Sequence, residues 1–257
     1  MQTNQRWYLS TIDGNAPRLA RQYGLGLEIA EFCTASNLDD YRAQTDEALT
    51  LSLSGISRRV LHGPFNELFP CAIDPKARAL AAQRYLQAAA AAVRYGAPKL
   101  VIHGGYQPFV YYSCWYVEQS VLFWRELLPK LPDGISVVLE NVLEPNPDDL
   151  FSIVQQVDDP RLALCLDVGH ANACSKIPVD IWLETWASRL SHFHIHNNTG
   201  EWDTHSPLTE GSIPMAEFLP RAISLCPQAS FTLEIPQAES SLVWMAEQGL
   251  LETPKGV

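Results

Sequence analysis

The chain has no Cys-x-x-Cys pair, no long apolar run and little positive charge, and each absence removes a class of protein. Six cysteines, at positions 33, 71, 114, 165, 174 and 226, are scattered through 257 residues. That spacing suits free, mostly buried thiols of a cytoplasmic protein and excludes a fold that depends on disulfides. No stretch approaches the roughly 18 apolar residues needed to span a bilayer, and residues 1–6 lack the charged-then-apolar pattern of a secretory signal. Lysine and arginine number 18 against 29 acidic residues, for a formal charge of −11. The longest basic cluster is Arg58-Arg59, so there is no footprint for a nucleic acid. No Gly-x-Gly-x-x-Gly follows the first strand-like run, which disfavours a dinucleotide-binding sheet. No linker, low-complexity tract or charge block divides the chain, so residues 1–257 are expected to form one domain.

What is present is a globular composition, 47% hydrophobic, with strands and helices in alternation. Strand-like runs occupy residues 7–10, 25–29, 59–62, 100–103, 136–140, 162–167, 192–196 and 231–235. A helix is expected over 75–95, where Asp74 caps, Pro75 takes the first position and Gly96 ends it. Others are expected over 117–128 and from Pro147 to about residue 157. Eight strand–helix repeats in a chain of this length predict an α/β fold, a closed (β/α)8 TIM barrel with its active site at the C-terminal ends of the strands.

Alternation along the strands supplies an internal check. One register points Val60, His62, Val101, His103, Val138, Glu140, Cys165, Asp167, His192, His194, His196, Thr232 and Glu234 into the barrel. The same register points Leu61, Ile102, Val137, Leu139, Leu164, Leu166, Phe193, Ile195, Leu233 and Ile235 towards the helices.

The strand ends then collect chemistry. His62 and His103 end strands 3 and 4, and Glu140 ends strand 5. Asp167 ends strand 6, with His170 one turn on. His194 stands on strand 7, whose loop adds Asp203 and His205, and Glu234 stands on strand 8. Any one of these histidines alone fits a satisfied core or capping role. Nine polar groups at strand ends do not share such an explanation. Converging carboxylates repel one another and resist desolvation, and a divalent cation with neutral imidazoles relieves both. A His/Asp/Glu set without cysteine suits zinc, manganese or ferrous iron.

These residues carry a resemblance. The segments Leu61-His62-Gly63-Pro64-Phe65, Val101-Ile102-His103-Gly104-Gly105, Val138-Leu139-Glu140-Asn141, Leu166-Asp167-Val168-Gly169-His170, His192 to Asn198, Asp203-Thr204-His205 and Leu233-Glu234-Ile235 resemble, in order, the xylose isomerase-like barrel superfamily. That superfamily includes endonuclease IV and many sugar and sugar-phosphate isomerases and epimerases. Two departures stand out: Asn197 where the family often has Asp, and Leu208-Thr209-Glu210-Gly211 in place of a Leu-Gly-Glu-Gly turn.

The resemblance implies one of two metal counts. In the isomerases one divalent metal, often manganese, is held by residues matching Glu140, Asp167, His194 and Glu234, and the two glutamates carry the proton. In the endonuclease IV branch three zinc ions are held by residues matching His62, His103 and Glu140; Glu140, Asp167, His194 and Glu234; and His170, Asp203 and His205. All nine ligand types are retained, and a one-metal isomerase does not require them all. The first expectation is therefore a multinuclear-zinc phosphoester hydrolase acting on a small phosphorylated or sugar-like metabolite. The alternative is a single-metal sugar or sugar-phosphate isomerase or epimerase using Glu140 and Glu234, and the third is a non-catalytic metal-containing barrel. Duplex DNA is not an expected substrate, because the 64–74 loop has no basic residue.

His196 is a candidate general acid, or a hydrogen-bond partner of a ligand, and His192 is expected to be structural. Tyr106 and Trp202 are candidate substrate contacts at the mouth. Glu28, on the inner face of strand 2, is expected to contact substrate or a ligand histidine. Asn197 occupies a substrate-orienting position in the resemblance.

Overall fold

The computed structural model describes residues 3–253. Eight parallel strands close into a barrel, each paired with its neighbours in chain order and β1 with β8. They are β1 Trp7–Ser10, β2 Gly26–Ile29, β3 Arg59–His62, β4 Lys99–His103, β5 Ser136–Glu140, β6 Leu162–Asp167, β7 Leu190–Ile195 and β8 Ser230–Leu233. The α-helices among the described residues are α1 Ala16–Tyr23, α2 Arg42–Ser52, α3 Pro75–Tyr95, α4 Ser113–Leu127, α5 Asp148–Val157, α6 Val168–Cys174, α7 Val179–Trp186, α8 Met215–Leu225 and α9 Glu239–Glu247. None of them is long and apolar enough to cross a membrane.

The α3 boundaries follow from its caps. The Asp74 carboxylate accepts from the Lys76 amide at 2.8 Å, and Gly96 leaves the helix at φ 61°. Helix α4 begins at Ser113, four residues before the expected start. Its first turn is aromatic rather than amphipathic, and packing of Trp115 and Tyr116 on the barrel decides it. Strand β7 starts earlier than expected, at Leu190, which pairs with Leu164, and a register shift between Leu164 and Cys165 leaves Ser191 without an opposing residue on β6. Glu234 and His196 lie one residue beyond β8 and β7, and the Glu234 amide still donates to Ile195 O at 3.2 Å.

Strand parity separates two cores. Val60, Val101, Val138 and Cys165 form a small cluster inside the barrel, joined by Tyr8 and Ala163. Leu61, Ile102, Val137, Leu139, Leu164, Leu166, Phe193, Ile195, Leu233 and Ile235 belong to the larger core beneath the helices. Aliphatic side chains drive helix–sheet packing because they remove the most apolar area from water. The narrow interior takes valine, cysteine and hydrogen-bonded polar groups. The next residue inward along six strands is a histidine, a carboxylate or a threonine, and this places the candidate site.

Candidate metal centre

Glu140 stands at the centre of the polar cluster and has no solvent exposure. Its two oxygens face different partners. Oε2 lies 3.1 Å from His62 Nε2 and 3.4 Å from His103 Nε2. Oε1 lies 3.1 Å from His194 Nδ1 and 3.3 Å from His170 Nδ1. His194 Nδ1 is also 3.3 Å from Glu234 Oε2 and 3.7 Å from Asp167 Oδ2. A third group lies further out, where Asp203 Oδ2 is 3.2 Å from His170 Nε2 and 3.0 Å from His205 Nε2. His62, His103 and Glu140 form one compact set of possible ligands, and His170, Asp203 and His205 form another.

The hydrogen bonds fix which ring nitrogen faces the cluster. A backbone carbonyl only accepts, so Nδ1–H of His62 donates to Gly63 O at 2.9 Å, that of His170 to Asn141 O at 2.9 Å, and that of His205 to Glu234 O at 2.8 Å. Each leaves Nε2 to face the carboxylates. His194 is reversed: its Nε2 donates to Glu28 Oε1 at 2.9 Å, and Nδ1 faces the carboxylates. An anchoring bond on the far nitrogen is how proteins orient metal-binding imidazoles.

Burial opposes charge throughout the cluster, and the groups overcome it only by pairing. Burial raises the Glu140 carboxyl, but the imidazoles of His194 and His103 outweigh it and hold it well below the carboxylate range. Burial lowers His205, yet Asp203 lifts it to about 9. The carboxylates around His170 hold it well above the histidine range against the same burial. His103 also faces Glu140, but burial outweighs that carboxylate and pushes the ring down to about 3. Among the described residues, every ion pair of Glu28, Glu140, Asp167, Asp203 and Glu234 is with a histidine, and none is with lysine or arginine. Protons on imidazoles supply the positive charge here. A donor set of this kind fits a divalent cation, which replaces those protons.

Local sequence explains the positions. Asp167 ends β6 and caps α6, its carboxylate accepting from the His170 amide at 2.7 Å. That cap brings His170 back over the barrel. Asn141 grips the Asp167 backbone from both sides, at 2.9 Å each way. His205 adopts a left-handed conformation, φ 46°, inside a loop closed by the Asn197–Ser206 bridge.

Other expected residues adjoin the cluster or lie at its rim. His196 is wholly buried, with Nε2 3.0 and 3.1 Å from the two Asp167 oxygens and its ring stacked on His205 at 3.9 Å. Its Nδ1 is buried without a partner. Asn197 does not line the cavity. Its amide donates to Leu208 O and Ile213 O and accepts from the amides of Ile213 and Asn198, tying down the loop that carries Asp203 and His205. An aspartate there would oppose two carbonyls with no proton to give, which explains asparagine at this position. Glu28 lies beneath His194 and is sealed from solvent. Tyr106 leans on Tyr116 with ring centres 5.1 Å apart, and Trp202 projects into solvent, 77% exposed. Sequence reasoning gave no role to Cys33, which lies beside His62, to Asn141, or to Gly169, against which the His196 ring rests. The Glu140-Asn141 and Gly169-His170 pairs at strand ends were the available signals.

The comparisons with known proteins agree with this architecture. The first curated relative, uncharacterized protein MJ1311 of Methanocaldococcus jannaschii, is 29% identical over 171 residues, 62% of this chain and 58% of the relative. The chain thus spans less than two thirds of that relative's length. Among solved structures, a D-tagatose 3-epimerase-like protein aligns at TM-score 0.75 and 20% identity, covering 95% of this chain and 97% of that one. The TTHB071 protein of Thermus thermophilus, soaked with ZnCl2, aligns at 0.74 and 23%, covering 95% and 98%. At these identities the solved structures speak for the fold. The xylose isomerase-like TIM barrel family matches residues 18–252, and the chain belongs to that family.

Proposed function

We propose that the chain is a divalent-metal-dependent sugar isomerase or epimerase, its 257 residues acting as one domain. The observation that carries this reading is the convergence of Glu140, Asp167 and Glu234 on His194 Nδ1, at 3.1, 3.7 and 3.3 Å. These four residues would hold the cation. A bound divalent ion supplies Lewis acidity to the oxygens of an α-hydroxy carbonyl sugar. Glu234 is the carboxylate best placed to take the proton from carbon. Its Oε2 faces His194, and its Oε1 has no hydrogen-bond partner among the described residues. Glu140 returns the proton, to the opposite face in an epimerase or to the adjacent carbon in an isomerase.

The lack of lysine or arginine paired with the cluster favours a neutral, unphosphorylated sugar. Three carboxylates around one dication leave the site anionic, which repels phosphate. The epimerase-like and zinc-soaked relatives support a metal and a small sugar ligand. Zinc and manganese both suit the donors. We assign His196 to holding Asp167 rather than to protonating a leaving group, since its buried Nε2 is engaged by that carboxylate. Tyr106 and Trp202 are assigned to the substrate mouth. Six free cysteines fit a cytoplasmic setting.

One observation favours a second reading, a multinuclear phosphoester hydrolase. Glu140 divides its oxygens between two groups, and the outer sets His62–His103–Glu140 and His170–Asp203–His205 are compact, with His62, His170 and His205 each anchored by a backbone carbonyl. Three dications would make the same site cationic and suited to phosphate. Metal analysis of the reconstituted protein, together with proton exchange in deuterated water over a panel of ketoses, separates the readings. One metal per chain with deuterium entering a substrate carbon supports the isomerase. Three zinc ions with phosphate release and no exchange overturns it.

A further inference from the structure

His62, His170 and His205 are all anchored by backbone carbonyls, which no side-chain substitution removes. His194 is anchored by a side chain, Glu28, and Glu28 is itself part of a column of hydrogen bonds running to the opposite end of the barrel. The direction of each bond in that column follows from donor chemistry. Lys99 has only protons to give, and its Nζ donates to Ser191 O at 2.6 Å and Ser230 Oγ at 2.7 Å. Ser230 Oγ accepts from Lys99 and, with Ser191 O at 3.5 Å and His192 Nδ1 at 2.6 Å, turns its own proton to the nearer nitrogen. His192 carries its proton on Nε2, which donates to Glu28 Oε2 at 3.0 Å. Thr232 Oγ1 donates to the same oxygen at 2.6 Å. Two donors thus claim Glu28 Oε2, and Oε1 is left to receive His194 Nε2–H at 2.9 Å.

We propose that Glu28 is a positioning residue that sets the tautomer of His194, and that the Lys99–Ser230–His192 column with Thr232 fixes which Glu28 oxygen does so. The inference rests on the metal reading above, and holds for one metal or three, because His194 serves both. Glu28 touches neither substrate nor cation. It acts by keeping the His194 proton on the far nitrogen, so that Nδ1 presents a lone pair to the cavity.

Glu28→Gln is the informative change because it is isosteric and keeps one acceptor oxygen. Two donors at the Oε2 position outcompete one at Oε1, so the amide oxygen turns to His192 and Thr232. The NH2 then faces His194 Nε2 and forces the proton onto Nδ1. Zinc affinity, measured with ZnCl2 alone by competition with a chromophoric chelator, is expected to fall roughly 10- to 100-fold. Circular dichroism is expected to stay unchanged. In zinc-loaded wild type, imidazole 15N shifts are expected to put the metal on His194 Nδ1. The double variant E28Q/T232V removes one of the two competing donors, so part of the lost affinity returns. A merely structural role predicts the reverse, since the double variant is the more damaged protein. A folded E28Q with wild-type zinc affinity overturns the inference and leaves the metal reading standing. A wild type that takes up no divalent metal overturns both.

Discussion

Replacing Gly169 by alanine puts a methyl group where His196 lies. An ideal Cβ at this position would be 1.8 Å from His196 Cε1, 2.3 Å from Nδ1 and 2.5 Å from Nε2. The ring cannot retreat, because His205 stacks on it at 3.9 Å with planes 13° apart and His196 has no exposed surface. Gly169 lies within α6 and not in the left-handed region, so backbone conformation does not oppose alanine. Alanine even gains about 1 kcal/mol of helix propensity. Against that stand about 1–3 kcal/mol of overpacking and about 1.5–3 kcal/mol for the Asp167–His196 bonds, which the displaced ring loses. The balance is a loss of about 1.5–5 kcal/mol. At ~2–4 °C per kcal/mol for a chain of this size, Tm should fall by roughly 3–20 °C. Denaturation in the presence of a chelator measures this apart from metal binding, and a zinc titration then reads the displaced Asp167. Gly14→Ala, with nothing within 4 Å of its Cβ, serves as control and should be near neutral. A G169A protein as stable as wild type would refute the claim that this glycine seats His196.

Three further outcomes follow from the same geometry. Chelation should lower Tm, because each cation at 100 times its dissociation constant contributes about 2.7 kcal/mol; a chelator-insensitive Tm would count against any metal in the cluster. Glu144 accepts from Tyr116 OH at 2.8 Å and the Val142 amide at 2.7 Å, and its burial raises its pKa above the unfolded value. A raised native pKa favours the fold below the unfolded pKa and loses that advantage as pH rises through the native one. Wild type should therefore gain stability relative to E144Q as pH is lowered from about 7 to about 5, and a flat difference in denaturant melts would contradict this. Trp202→Ala should raise KM several-fold and leave Tm unchanged, since the side chain is 77% exposed; an unaltered KM would remove Trp202 from the substrate mouth.

Strand parity was legible because it is a local rule of period two, and hydrophobic sorting enforces it on every strand. It put Glu140, Asp167 and His194 inside and Leu139, Leu166 and Phe193 outside, as the two cores show. The start of α4 was not legible, since residues 113–116 carry no polar face and only docking on the barrel makes them helical. For His196 the sequence left two roles open, general acid or hydrogen-bond partner of a ligand, and the structure sets its Nε2 against Asp167. Its parity is that of a cavity residue, but Gly169 admits it as a wedge against Asp167. Asn197 read as a departure from a pattern, and only the positions of Leu208 O and Ile213 O explain it.

The sequence by itself determined the barrel and the residue types gathered at the strand ends, because both follow from periodicity, while the order of its motifs carried the resemblance to the family. The tertiary structure decided which nitrogen of each imidazole faces the cluster, how Glu140 divides its oxygens, and that Glu28 meets His194 from 166 residues away. Those choices depend on where carbonyls and hydroxyls from distant strands come to lie. A hydrogen bond is decided within a few tenths of an ångström, and no spacing along the chain encodes that.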